Sequence, residues 1–201
     1  MIRIISPHLG DDWKSVQLKF IKKYTRREFD LYQYSVPSGT MHITAINRCM
    51  KRLDEVCQAG DICVLLDSDA FPIHPDWLKR VVEYLSRVKY VAVQRLEASE
   101  AKRLAHPCFV AWKYSVGLKF AVHGPKKNPH VRGSENQRVW KGLHRTNKKP
   151  LHPRLYSVYG DIIYHHGAGS RDVSQESRFK DGLSYGEDFW KNPAEFIRRI
   201  R

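Results

Sequence analysis

The chain is expected to fold as an α/β protein: three α/β/α layers around a mostly parallel, twisted sheet, followed by a less regular C-terminal half. Two observations carry this. Over residues 1–100, segments of strand length alternate with segments of helix length in the order β-α-β-α-β-α-β. Such alternation folds as parallel strands joined by right-handed helical crossovers. Within it, the stretch Asp61–Pro72 (DICVLLDSDAFP) holds an almost unbroken apolar run from Ile62 to Leu66. That run reads as a strand buried on both faces of the sheet.

In chain order, Met1–Ser6 alternates weakly as a first strand and closes at Pro7-His8-Leu9-Gly10. Asp11 or Asp12 can cap a helix with Trp13, Val16 and Phe20 on one face and Lys14, Lys19, Lys22 and Lys23 on the other. Phe29–Val36 alternates as a second strand and ends at Pro37-Ser38-Gly39. Ile43, Ile46, Met50, Leu53 and Val56 recur at helical spacing until Gly60. After the apolar strand, His74-Pro75-Asp76 opens a helix with Leu78, Val81, Val82 and Leu85 as its buried stripe, and Lys89–Arg95 is a further strand. Beyond it, Pro107–Lys113 is expected to be a strand, Ala121–Gly133 a polar basic loop, and Glu135–Leu143 a short helix capped by Ser134. Arg154–Tyr164 reads as a strand or a bent pair broken at Gly160, and Asp172–Arg201 as a polar, mobile tail.

Composition sets the broad class. The 201 residues are 42% hydrophobic, 28% charged and 11% aromatic, which describes a globular chain with a sizeable core. No apolar run reaches bilayer length, and Met1-Ile-Arg-Ile-Ile lacks the layout of a signal peptide. A cytoplasmic location is therefore expected. The four cysteines have no CxxC spacing and are expected to be reduced thiols. The balance of 35 Lys and Arg against 21 Asp and Glu gives +14, which calls for an anionic partner such as a nucleotide diphosphate or a membrane surface. Lys22–Arg27 and the C-terminal FIRRIR are the clusters that can reach anionic lipid. No GxGxxG follows the first strand and no GxxxxGK[ST] occurs, which disfavours a dinucleotide-binding Rossmann domain and a P-loop NTPase.

The chemistry concentrates where the apolar strand ends. Asp67 and Asp69, with Ser68 between them, project to one side of an extended backbone and repel each other, and a divalent cation is the simplest reason for the pair. The carboxyl edge of an α/β sheet is also where ligands bind. Near the other end of the chain, His165-His166-Gly167-Ala168-Gly169-Ser170-Arg171 offers imidazoles beside a glycine-rich turn.

Taken in order, LLDSDA at a strand end, PCFVAW downstream and IIYHHGAGSR near the C-terminus resemble the GT-A-fold glycosyltransferases. The resemblance runs from the first strand to Arg171. It implies one GT-A-like catalytic domain over 1–201: a nucleotide-sugar-binding half (1–100), an acceptor-side, metal-completing half (101–171), and a loop and tail (172–201). It implies a nucleoside-diphosphate sugar donor, UDP-sugar favoured, and a glycan or lipid-linked acceptor. Asp69 would bind a metal directly, Asp67 would contact the ribose or the metal, and a C-terminal histidine would complete the site. His165 fits the His-x-Gly pattern best, and His166 remains open. Oxygen and imidazole ligands suit Mn²⁺, with Mg²⁺ second. Pro7, His8, Leu9, Asn47, Ser68 and Arg171 are expected at the donor, His106 and Trp112 at the acceptor, and Glu135 as the base. The competing readings are a nucleotidyltransferase that makes a nucleotide-sugar and a basic nucleic-acid-binding module. Nucleic acid is not the expected partner, because a basic binding module gives no reason for two carboxylates at the site, which would repel phosphates unless a metal is bound.

Overall fold

The computed structural model describes residues 1–8, 12–37, 40, 42–96, 103–115, 122–123, 130–131, 136, 138–147, 156–167 and 188–201. In chain order the first half contains β1 (Ile2–His8), α1 (Asp12–Tyr24), β2 (Phe29–Ser35), α2 (His42–Val56), β3 (Ile62–Leu66), β4 (Ala70–Pro72), α3 (Trp77–Leu85) and β5 (Tyr90–Leu96). The second contains β6 (Arg103–Lys113), β7 (Val122–His123), β8 (His130–Val131), β9 (Trp140–Leu143), β10 (Ser157–Tyr159), β11 (Ile163–His165) and α4 (Pro193–Ile200).

Six strands form a mixed sheet in the order β2-β1-β3-β6-β5-β9. Expected parallel pairing is present where β1 lies between β2 and β3, and an unanticipated parallel pair joins β5 to β9. The sheet is less parallel than expected because β6 inserts antiparallel between β3 and β5. Strand β1 runs two residues past its expected end, with Pro7 and His8 opposite Tyr34 and Ser35 of β2. Pro7 is tolerated there because the β3 ladder reaches only Ile5, so no N–H is needed on that side.

Burial of β3 on both faces is what makes the layers. Val64 and Leu66 enter one core with Ile21, Trp77, Leu78 and Val81, from α1 and α3. Cys63 and Leu65 enter the opposite core with Ile46, Cys49, Met50 and Leu53 of α2. Each such side chain fully withdrawn from water contributes roughly 1.5–3 kcal/mol. At the start of the strand, Asp61 holds the chain's amino terminus and Arg3, each at 3.1 Å, and Arg3 also pairs with Asp30 of β2.

Three expectations for the second half need correction. Trp140–Leu143 is not helical: it is an edge strand parallel to β5, with the Trp140 ring stacked on Tyr90 at 5.9 Å. Gly142 permits that packing, since a Cβ there would lie 2.1 Å from Gln94 Oε1. The basic loop 121–133 contains a short antiparallel pair, β7 with β8. The tail is not uniformly polar. Its described part includes α4, where Asn192 Oδ1 accepts the Glu195 N–H at 3.2 Å and Pro193 occupies the first turn.

A third core lies beside the small sheet β10-β11-β4 and gathers Phe20, Phe71, Tyr164, Phe189, Phe196 and Ile197. The apolar residues of FIRRIR therefore face the protein interior, with Arg198 and Arg199 left outside. Strands β10 and β11 are the bent pair anticipated around Gly160; Gly160 and Asp161 both take positive φ (56° and 59°), as a tight hairpin turn requires. Among the described residues no helix is long and apolar enough to cross a membrane.

Candidate functional site

Strand β3 delivers its last apolar residue, Leu66, and the chain turns at once. The Ala70 N–H bonds back to Asp67 O at 3.0 Å, closing a four-residue turn whose side chains include both carboxylates. The turn is pinned from two sides. Asp67 N–H donates to Cys108 O on β6 at 2.9 Å. From α1, the buried Gln17 amide donates to Asp67 O at 2.8 Å and Ala70 O at 2.9 Å, while its Oε1 lies 3.1 Å from His8 Nε2.

The chain then continues directly into β4, which pairs antiparallel with β11 so that Ala70 faces His165. The His166 N–H donates to Asp69 O at 3.0 Å and fixes this register. A histidine almost a hundred residues downstream thus lands against the acidic turn. His165 Nε2 lies 3.4 Å from Asp69 Oδ1 and 3.7 Å from Asp67 Oδ2. One ligand atom from each of Asp67, Asp69 and His165 falls within a 4.8 Å spread, and all three residues are buried. The two separations from His165 are below twice the roughly 2.1 Å metal–oxygen distance, and the three groups together could hold one small cation. Two carboxylates and an imidazole are a donor set that could hold a metal ion.

The two neighbouring histidines face opposite ways, as successive residues of a strand do. His166 sits in tilted and edge-on contact with Trp13, Tyr156 and Phe189, each ring centroid 4.8 Å away, and its Nδ1 meets Tyr164 Oη at 2.9 Å. It does not join the carboxylate cluster. The environments drive the two pKa values apart. Burial in the aromatic cage pushes the His166 imidazole down to about 4, with Asp69 opposing and His165 assisting. For His165 burial also works against the charge, but Cys108 and Asp69 outweigh it and hold the pKa well above the ordinary value.

His42 is a fourth member that the sequence reading did not single out. It opens α2, and its Nε2 lies 2.7 Å from Asp67 Oδ1; the Asp67 charge raises its pKa against the effect of burial. The signal was topological: the loops after β1, β2 and β3 all emerge at one edge of a parallel sheet, so the first turn of α2 sits beside the end of β3. Gln17, which stands in no recognisable motif, was missed too, as was the part that Cys108 of PCFVAW plays in pinning the turn.

The remaining expected site residues divide. Pro7 and Ser68 line a narrow pocket with Val36, Thr40 and His42, immediately beside Asp67. His8 does not offer an open edge: it is buried within β1 against Gln17. Asn47 sits half-buried on α2, beyond His42. His106 is close to the cluster, its ring 6.0 Å from that of His165. A bulge puts it there: pairing jumps from Ala92↔Val110 to Val93↔His106, and the Cys108 N–H donates to His106 Nδ1 at 3.1 Å. Trp112 is corrected to a core residue, 1% exposed and paired with Cys63 at the end of β6 far from the carboxylates. Leu9, Glu135 and Arg171 lie outside the described residues. A larger cavity of about 270 Å³, lined by Tyr24, Arg26, Arg27, Asp76, Lys79 and Glu83, touches none of these groups.

No protein-family model matches the chain, and no curated protein matches it. Among solved structures it is similar to A197 from STIV at 13% identity and a TM-score of 0.45, covering 86% of this chain and 97% of that one. It is also similar to a glycosyltransferase involved in the glycosylation of the major capsid of PBCV-1, at 14% identity and a TM-score of 0.39, covering 56% of this chain and 59% of that one.

Proposed function

We propose that this protein is a metal-dependent glycosyltransferase that moves a sugar from a nucleoside-diphosphate donor, UDP-sugar favoured, to a glycan or lipid-linked acceptor. The observation that carries this reading is the buried Asp67–Asp69–His165 cluster at the carboxyl edge of β1, β2 and β3. Burying two carboxylates is costly unless something positive meets them, and a site built for a dication explains why they converge on one imidazole. A cation held by these three residues would neutralise negative charge on the departing diphosphate.

The protein's own groups supply the rest. Gln17 and the Cys108 carbonyl hold the acidic turn rigid. The pocket formed by Pro7, Val36, Thr40, His42 and Ser68 is the proposed seat of the nucleoside, next to Asp67. The acceptor is proposed to approach along β6, where His106 adjoins His165. Glu135 is the proposed base for the acceptor hydroxyl, and Arg171 a proposed donor contact. The whole chain is proposed to act as one catalytic domain in the cytoplasm, with its basic surface able to meet an anionic membrane face.

Thermal unfolding with UDP or GDP, with and without Mn²⁺, tests the reading. Stabilisation by the nucleotide should require the metal and vanish in Asp69→Ala. If polynucleotide stabilises the protein while nucleoside diphosphates do nothing in either condition, the glycosyltransferase reading is to be dropped.

A further inference from the structure

Cys57 and Cys63 hold their sulfur atoms 2.9 Å apart, closer than two unrelated thiols normally sit. The connection between them is rigid. Cys57 closes the last turn of α2 through its N–H to Leu53 O at 2.9 Å. Gly60 takes φ +94°, Asp61 N–H returns to Gln58 O, and Gln58 N–H donates to Asp61 Oδ2, the latter two at 3.0 Å. Asp61 is in turn clamped by the amino terminus and Arg3. Cys63 then enters the core on β3. The pair is asymmetric: Cys57 is half-exposed and reachable from solvent, whereas Cys63 is buried, as are Cys49 and Cys108.

We propose that Cys57 and Cys63 form a redox-responsive dithiol that closes to an intramolecular disulfide by exchange with a small-molecule disulfide. The Cys57 thiolate attacks one sulfur of the reagent RSSR, forming a mixed disulfide and releasing RS⁻. Cys63 then gives up its proton, its sulfur attacks that of Cys57, and a second RS⁻ leaves. On protonation of both leaving groups, protein dithiol and RSSR have become protein disulfide and two RSH. Cys57 suits the first step: the hydrogen bond from Cys63 lowers its pKa despite partial burial, while the Cys63 thiol is raised. The bond would tie the end of α2 to β3, whose opposite ends carry His42 and Asp67. The proposal is independent of the metal reading.

The test uses the purified full chain, incubated with oxidised glutathione, denatured, alkylated with iodoacetamide and cleaved before aspartate. Cys57 and Cys63 then lie on separate peptides, residues 54–60 and 61–66. The expected result is one species containing both peptides, lighter by two hydrogens than their free-thiol sum, with Cys49 and Cys108 alkylated. Dithiothreitol should restore alkylation of both, and Cys57→Ser should leave Cys63 alkylated throughout. Recovery of both peptides alkylated, a glutathione adduct that stops at Cys57, or a link from either residue to Cys49 or Cys108 would overturn the proposal.

Discussion

Gln17 is the side chain on which the geometry of the acidic turn most visibly rests, and replacing it with methionine is the sharpest perturbation of the scaffold. Methionine keeps the length and unbranched shape but removes both donors. Ala70 O loses its 2.9 Å bond outright, whereas Asp67 O loses one at 2.8 Å and keeps the Ala70 N–H. Stripping a buried polar group of a partner costs about 1–3 kcal/mol. With the Asp67 carbonyl at the low end, and the buried His8 Nε2 losing its Oε1 partner as well, Gln17→Met should destabilise the protein by about 3–7 kcal/mol. At about 2–4 °C per kcal/mol for a chain of this size, Tm should fall by on the order of 10 °C. A loosened turn should also blunt the Mn²⁺ response. The assay is urea unfolding for stability and Mn²⁺ titration of Tm for the site, beside Leu53→Ala as a control. Leu53 is buried in the α2 core and should cost a comparable 2–5 kcal/mol. If Gln17→Met stays within about 0.5 kcal/mol of the parent, or its Mn²⁺ response matches that of Leu53→Ala, the reasoning about the clamp is refuted.

The histidine pair gives opposite results on substitution: His165→Ala should abolish Mn²⁺-dependent stabilisation by nucleotide, whereas His166→Phe should keep it, and the reverse pattern would reassign the ligand. Because the His165 pKa is raised in the metal-free fold, its proton stabilises the fold fully below about 6.5, and that contribution is lost as pH rises through the folded value. Bound Mn²⁺ must displace that proton, so its affinity, measured by calorimetry, should climb with pH from 6 upward; a flat profile would contradict the assignment. His166 runs the other way: lowered to about 4, it contributes stability above about 6.5 that is lost as pH falls toward 4, and His166→Phe should flatten that part of the Tm-against-pH curve. Gly142→Ala would put a methyl 2.1 Å from Gln94 Oε1 and 2.9 Å from its Cβ, and should cost about 1–3 kcal/mol by chemical unfolding.

The parts of the fold legible in the sequence are those where local pattern and tertiary role agree. Ile62–Leu66 reads as a doubly buried strand because alternate side chains really enter separate cores. Trp140–Leu143 was misread because the spacing of Val139, Trp140 and Leu143 imitates one helical face, and only pairing with β5 reveals a strand. The cap and proline that start α4 were readable in Asn192-Pro193-Ala194-Glu195, but the charged surroundings masked the buried Phe196, Ile197 and Ile200. At the site, Asp67, Asp69 and His165 stand in recognisable motifs at a strand end and beside a glycine-rich turn. His42 and Gln17 do not: they reach the acidic turn through the packing of α2 and α1, which no spacing along the chain records.

The central claim is that one cation sits between the acidic turn and His165. Crystals soaked in Mn²⁺ with a nucleoside diphosphate, with anomalous scattering recorded at the manganese edge, test it most directly. The account predicts one strong peak at roughly 2.0–2.4 Å from an oxygen of Asp69 and from His165 Nε2, with Asp67 alongside. Manganese bound elsewhere, or nucleotide bound in the pocket with no anomalous peak between these residues, would contradict it.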